Sequence, residues 1–596
     1  MKRIFLTLVV LLLATQANAA ILVFSPNGAY TTKTTLSAAA TAADAAGKTV
    51  VVTSALSAVQ SNISSATVHA WPADRALKVE KGGSINPTTK FTGLTSVTPE
   101  MFGSSGDVTT DTLAFNRCVT AITSKGKIIT DKSKTYSINS TVPIGTKNIE
   151  ITGGGTIETF IPTSGTFGTD SLFSVSGGTL IIEGMNFTTA TSSVGGVASA
   201  LIPSTGIFKN NTVTNYRSGF LNYWNNSIFD GNTISCLPAS ILGSYAIHLP
   251  GSGNTVTNNK ITGGRHHVYI SGGGLPDTTD PVTNNIVTGN TFTNAGYGAV
   301  SLYAVSPQGD VANNIISNNT VINPVSNFGI ALTQACSFNT IFGNTVMFDN
   351  GAVVAGIGTV EAGILINGQG VSGYGNQPHD NTITGNIIVS TVYIDPTLPD
   401  NYQRGLNIEV LNGYRNTITN NVIEQPISTV VTQAGIRLDS QITPADFGNV
   451  VSGNTFKFCG IYNLLVDTTQ ITGNTIQNHT SQPPIYVDAG GSATVLWNSL
   501  SGYAQTLLTI NSTSPTVGFN NLFFTGNTGA TKITTFTNGY IGQVITVYFN
   551  DNNTTLADTR VDGTGYFYLK GGINKTYSTY SIVDFVKIDS IHWVEK

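Results

Sequence analysis

The chain has 596 residues, its formal net charge is -4, and only 10% of its residues are charged, against roughly 25% in an average soluble protein. It carries no long basic run, and the densest cluster, Lys125–Lys134, reads as a solvated turn, so nucleic acid is not an expected partner. Hydrophobic residues at 40% allow a core, and the abundance of Asn, Thr, Ser and Gly favours strands and turns over long helices.

Residues 1–19 read as a secretory signal peptide. Lys2 and Arg3 form a positive n-region, Ile4–Leu13 is a short apolar stretch, and Ala17–Ala19 is a small-residue cleavage site. The apolar stretch is too short to span a bilayer and no later segment is longer, so no membrane span is expected. Localisation outside the cell or on its surface follows. The four cysteines, Cys118, Cys236, Cys336 and Cys459, are widely spaced and read as buried thiols in preference to a disulfide framework or a metal site.

Residues 20–97 form a β-rich leader. Next comes a short amphipathic helix with Thr110 as N-cap, Asp111 in its first turn, and Leu113, Phe115, Val119 and Ile122 on one face. From there an Asn-x-apolar motif recurs in pairs five residues apart: Asn254/Asn259, Asn285/Asn290, Asn314/Asn319, Asn339/Asn344, Asn381/Asn386, Asn416/Asn421 and Asn449/Asn454. Pairs that recur roughly every 20–40 residues are the mark of a solenoid. In a parallel β-helix, equivalent residues stack about 4.8 Å apart. Asparagines then bond in a ladder along the axis, tolerating the left-handed turn, while the apolar residue two positions on enters the core.

A second column sets the register. Each coil has an apolar-x-apolar triplet, usually after a small residue, as in "HVYI", "AVSL", "GIAL", "GILI", "GLNI" and "GIRL". Alternation turns the middle residue outward. One outward column is therefore His248, Tyr269, Ser301, Ala331, Leu365, Asn407, Arg437 and Tyr486. The next is Pro250, Ser271, Tyr303, Thr333, Asn367, Glu409, Asp439 and Asp488. Insertions of varying length fall beside this face, and loops rimming one sheet make a groove. Residues 520–596 read as a separate module of short antiparallel strands.

At Pro99–Phe115, "PEMFGSSGDVTTDTLAF", followed by "TYSIN" and "IEITGGGTIE", the chain resembles the pectate-lyase-like superfamily of right-handed β-helices, whose opening segment is shared with phage tailspikes. Gly106, Asp107, Asp111 and Thr112 match that segment; Val108 stands where the family has glycine. The resemblance covers Thr98–Gly518. It implies an all-β fold: a right-handed parallel β-helix over residues 98–519, with an N-terminal capping helix and a small C-terminal β module. It also implies a polysaccharide ligand and, from the tailspikes, a homotrimer.

Two constellations could carry chemistry. By the register above, Asn407, Glu409, Arg437 and Asp439 form a patch in which Glu409 and Asp439 stack. Paired carboxylates are the kit for glycoside hydrolysis, and repulsion between them raises one pKa as an acid role needs. The bland reading is a surface salt bridge through Arg437. The second constellation is Arg265, His267 and Tyr269 in "GGRHHVYISGGG". There a His or Tyr base and a cation could support elimination beside a uronate carboxyl. If Tyr269 faces outward so does His267, and His266 is buried. The substrate-binding candidates are His248, Tyr303, Asn367, Asn407, Tyr486 and Asp488, with Tyr269, Tyr303 and Tyr486 able to stack on sugar rings. Asp277 and Asp280 could hold calcium, but a plain turn is the preferred reading, so no cofactor is expected. The combined expectation is a secreted polysaccharide-binding protein that degrades its ligand as a lyase or glycoside hydrolase. A non-catalytic adhesin and a uronate epimerase remain open.

Overall fold

The computed structural model describes residues 95–161, 171–189, 195–237, 244–272, 281–304, 310–324, 328–348, 362–368, 377–390, 408–425, 434–439, 448–464, 468–477, 485–487, 493–496, 498–501, 506–517, 522–539, 541–562 and 566–596, with six short strands between residues 21 and 92. The signal-peptide residues, Asn407, Asp488, Asp277 and Asp280 lie outside the described residues, as does the side chain of Tyr486. The chain forms two compact units, Met1–Gly264 and Arg265–Lys596. The fold is all-β, a right-handed parallel β-helix.

In the first unit, four leader strands (Ile21–Phe24, Tyr30–Lys33, Thr49–Val52 and Leu77–Val79) form one sheet. Helix α1 (Val108–Ala121) follows. Its N-cap is Asp107, whose carboxylate accepts from the amides of Thr109 and Thr110, three residues earlier than the expected Thr110. Leu113 faces solvent at 44% exposure. The buried face is instead Ala114, Phe115, Cys118 and Val119, continuing to Ile122, with Phe115 edge-on to Tyr136 at 5.5 Å.

The opening segment folds around Asp111. One of its carboxylate oxygens accepts from the Ser104 hydroxyl and the amides of Ser105 and Gly106, the other from the Ser137 amide. A fully buried carboxylate is thus hydrogen-bonded on both oxygens. That explains the spacing of Gly106, Asp107 and Asp111 without any chemistry. Coils then begin at Lys125–Ile129 and stack in parallel with Asn148–Thr152, Thr179–Glu183, Gly196–Lys209, Ile228–Asp230 and Thr255–Thr257.

In the second unit each complete coil contributes three strands. The first stack runs from His266–Gly272 through Gly298–Ala304, Phe328–Thr333, Ala362–Asn367, Ile408–Leu411, Ala434–Asp439 and Gly460–Leu464 to Ile485–Val487. The second runs from Ile286–Thr288 to Ala493–Leu496, and the third from Thr291–Thr293 to Ser499–Ser501. Columns of one residue type fill the interior: Ile330, Ile364, Ile408 and Ile436 stack from the first stack, Ile316, Ile341, Ile383 and Ile418 from the second, all fully buried.

Two asparagine ladders join the coils. One runs Asn285, Asn314, Asn339, Asn381, Asn416, Asn449, each side-chain amide donating to the next oxygen. The other runs Asn290, Asn319, Asn344, Asn386, Asn421, Asn454, Asn474, Asn498. The first unit has its own segment, Asn211, Asn232, Asn259. The left-handed residue, however, is not the ladder asparagine but the one before it, such as Asn284, Asn318 or Asn420. The ladder residue itself is buried with its amide bonded to the next asparagine, so the strained conformation passes to its exposed neighbour.

The small residue ahead of each triplet also finds a reason. A Cβ on Gly329 would meet Val346, and one on Gly435 would meet Phe456 and Cys459, all core residues. That position points inward at the corner of the coil. All four cysteines are free and buried, and burial pushes the thiols of Cys236 and Cys336 up to about 12.

The tail has a core of its own, built from Leu508, Val517, Phe523, Phe536, Val547, Phe585 and Trp593 among others. It therefore draws on residues ahead of 520. Its strands are mixed: Thr506–Leu507, Leu522–Phe524 and Val544–Phe549 run parallel, and only the pairings of Ser581–Lys587 with Val544–Phe549 and Trp593–Glu595 in that sheet are antiparallel. The linkers between the parallel strands are long enough to cross over, which two-residue turns cannot do.

Candidate functional site

The first stack of the second unit turns an aromatic and cationic group outward. Arg265 lies over the Tyr297 ring at 4.7 Å. His266 sits between Tyr297 (5.0 Å) and Tyr269 (4.9 Å). Tyr269 stacks with Tyr303 of the next coil at 6.2 Å, and Gln334 of the coil after that donates to the Tyr303 hydroxyl at 3.4 Å. Arg265, Tyr269, Tyr297 and Tyr303 are part-exposed. His266 is buried, its Nδ1 2.8 Å from the Ser301 hydroxyl.

His266 is buried, as expected, but on the outward side between the rings of Tyr269 and Tyr297. His267, expected to face outward, is instead fully buried against the core residue Phe292 at 5.6 Å. Alternation fails because His267 occupies the inward corner position that Gly329 and Gly435 hold on later coils. Two consecutive residues, His267 and Val268, both point in. Three residues of this group, His266, Tyr297 and Ser301, were not singled out as site residues from sequence. Tyr297 could have been found by aligning coils on the corner residue, since its amide bonds the Arg265 carbonyl.

The acidic patch is placed differently from the expected register. Glu409 is the register partner of Leu365 and Arg437, and Asp439 is the partner of Leu411. The two carboxylates are thus not stacked. Arg437 lies between them, its Nη2 donating to Asp439 at 2.8 Å and its Nε 3.7 Å from Glu409. Glu409 is fully buried, and the adjoining outward residues Ala331, Leu365 and Leu411 form a buried apolar cluster with Phe328 and Ala362. Along this part of the sheet the outward face is covered. Register also places Tyr462 between Arg437 and Tyr486, a coil missing from the sequence columns.

Asn367 and Thr333 continue the Tyr303 column and are part-exposed. His248, in the first unit, stacks on Tyr245 at 5.4 Å, and burial pushes its imidazole down to about 3, leaving it neutral. Among the described residues there is no group of three or more His, Cys, Asp or Glu that could hold a metal ion, and no helix is long and apolar enough to cross a membrane.

The family described as "right handed beta helix region" matches residues 235–395. That match covers part of the coils whose right-handed parallel β-helix fold is described above. Solved structures similar to the chain include the lacto-N-biosidase of family GH136 from Eubacterium ramulus, at 12% identity over 63% of this chain and 62% of that one, with a TM-score of 0.36. The match spans less than two thirds of that enzyme. The Dettilon tailspike protein is 14% identical over 69% of both chains, TM-score 0.37. The catalytic domain of a GH87 α-1,3-glucanase, in complex with nigerose, is 16% identical over 68% of both chains, TM-score 0.38. Likeness at this level is one of fold alone. No curated protein is significantly similar in sequence.

Proposed function

We propose that the protein binds an acidic polysaccharide through the outward group Arg265, His266, Tyr269, Tyr297 and Tyr303. The observation that carries this reading is the Tyr269–Tyr303 stack, part-exposed across two coils. A fold that needs only solvated side chains there gains nothing from leaving two phenol rings open, whereas a sugar ring packs on an aromatic face. Arg265, held on Tyr297, supplies a cation beside the rings for a uronate carboxylate. Export directed by residues 1–19 and a homotrimer belong to the same proposal.

Cleavage by elimination is a second reading, favoured by the imidazole of His266 beside the Tyr269 phenol. A base would take the proton next to the uronate carboxyl, and the glycosidic oxygen would leave with the bonding electrons, giving an unsaturated uronate. Glycoside hydrolysis by Glu409 and Asp439 is less favoured, because Glu409 is fully buried with Arg437 beside it. Incubation with alginate and pectate, followed by ultraviolet absorbance and co-sedimentation, separates the readings. Product and binding support elimination, binding without product supports an adhesin, and neither with any uronate polymer contradicts the proposal.

A further inference from the structure

A second exposed group lies at a different turn of the solenoid. Among the described residues, the residue before a ladder asparagine is left-handed, and from Gly289 to Gly473 along the second ladder it is asparagine or glycine. These residues adopt that backbone cheaply. Along the first ladder the same holds at Asn284, Asn313 and Gly448. On three successive coils between them the residues are Phe338, Asp380 and Arg415, with φ of 54°, 54° and 52°. A phenylalanine in this conformation is strained, and Phe338 is also 56% exposed. The coils above and below make the same turn without it, so the fold does not require it.

The three substitutions form one surface. The Phe338 ring stands edge-on to His379 at 5.8 Å, and His379 stacks on Tyr414 at 4.9 Å. Arg415 lies over the Tyr414 ring at 4.7 Å. Its Nε and Nη2 donate to the two oxygens of Asp380 at 2.8 Å and 2.5 Å, and His379 Nδ1 is 2.8 Å from Asp380.

We propose that Phe338, Asp380 and Arg415 form a second carbohydrate-contact site, one that takes a neutral sugar residue. The exposed Phe338 ring receives the apolar face of a pyranose. Asp380 accepts from sugar hydroxyls, and the guanidinium N–H groups not given to Asp380 donate to them. Because Arg415 and Asp380 neutralise each other, the site offers no net charge for a uronate and discriminates in favour of uncharged sugars. This goes beyond the function proposed above, since it concerns other residues and a different ligand charge.

The test is affinity electrophoresis of the full chain in gels holding dextran, soluble α-1,3-glucan or alginate. The variants are Phe338→Asn, Phe338→Trp and Tyr269→Ala/Tyr303→Ala. Phe338→Asn places at this turn the residue that Asn284 and Asn313 already supply, so it should fold at least as stably as the parent. The expected result is retardation by a neutral glucan that Phe338→Asn reduces at least fivefold, that Phe338→Trp retains, and that the tyrosine double variant leaves unchanged. Equal retardation of parent and Phe338→Asn in both glucans, including none in either, overturns the inference. Loss of alginate retardation in the tyrosine double variant, with glucan retardation absent or equal in parent and Phe338→Asn, would uphold the first site and reject this one. Loss of glucan retardation in Phe338→Asn, with alginate retardation unchanged in the tyrosine double variant, would do the reverse.

Discussion

Asn421 donates from Nδ2 to the Oδ1 of Asn454 on the next coil at 2.9 Å, while its own Oδ1 accepts from both the side chain and the backbone amide of Asn386. The same Nδ2 also reaches the Ile383 carbonyl. All three asparagines are fully buried. Replacing Asn421 with Leu orphans the buried backbone amide of Asn386 and removes the second donor to the Ile383 carbonyl. The expected loss is therefore about 1–3 kcal/mol, read as a lower urea midpoint. An unchanged midpoint would reject the ladder as a stabilising element.

The Glu409–Arg437–Asp439 group should behave as a structural ion pair. Arg437→Met removes the guanidinium beside the buried Glu409 carboxylate, and breaking such a pair costs about 3–5 kcal/mol. Unfolding should therefore occur at clearly lower denaturant. If Arg437→Met is as stable as the parent, the group is not holding the coils together and a functional role regains ground.

How far the solenoid could be read from sequence turns on what a pattern can distinguish. The asparagine pairs and the isoleucine columns were legible because stacking repeats the same residue at the same turn. Glu409 was misplaced because Leu406-Asn407-Ile408 and Ile408-Glu409-Val410 are both apolar-x-apolar. A two-residue slip keeps every side chain on its face, so alternation cannot detect it. Gly405 drew the register to the wrong triplet by filling the expected small position. His267 was misassigned for the opposite reason: the corner residue breaks alternation, and a bulky side chain there hid the rule that Gly329 and Gly435 follow. Burial of Leu365 and Leu411 on the outward face depends on tertiary packing that no local pattern records.

The tail core gives a pH prediction. Asp558 is fully buried and accepts from the amides of Arg560 and Leu569 and from the Arg560 guanidinium. The guanidinium holds its carboxyl down at about 2. A depressed carboxylate adds stability above its unfolded value near 3.9 and loses that stability as pH falls toward 2. Hydrogen exchange in Val544–Phe549 and Ser581–Lys587 should speed up across this interval. Asp558→Asn should exchange faster at neutral pH and show a flatter acid limb; an acid limb identical to the parent's would contradict the assignment.

Truncation should be sensitive to where the chain is cut. Ending at residue 505 removes the whole tail core, whereas ending at 519 leaves Leu508 and Val517 stripped of their partners. The shorter chain should stay soluble with coil strands still protected, since solenoid contacts are mostly between neighbours. The longer one should aggregate more. Equal solubility of the two would show that Leu508 and Val517 do not depend on the tail.

The central claim is that an acidic polysaccharide is held on the Tyr269–Tyr303 stack beside Arg265. Calorimetric titration of an oligouronate into the parent and into Tyr269→Ala/Tyr303→Ala tests it most directly. Aromatic contacts of about 0.5–1.5 kcal/mol each predict a Kd raised roughly tenfold in the double variant, where 1.4 kcal/mol is tenfold, with the melting temperature little changed. The same Kd in both proteins, or no heat of binding in the parent, would contradict it.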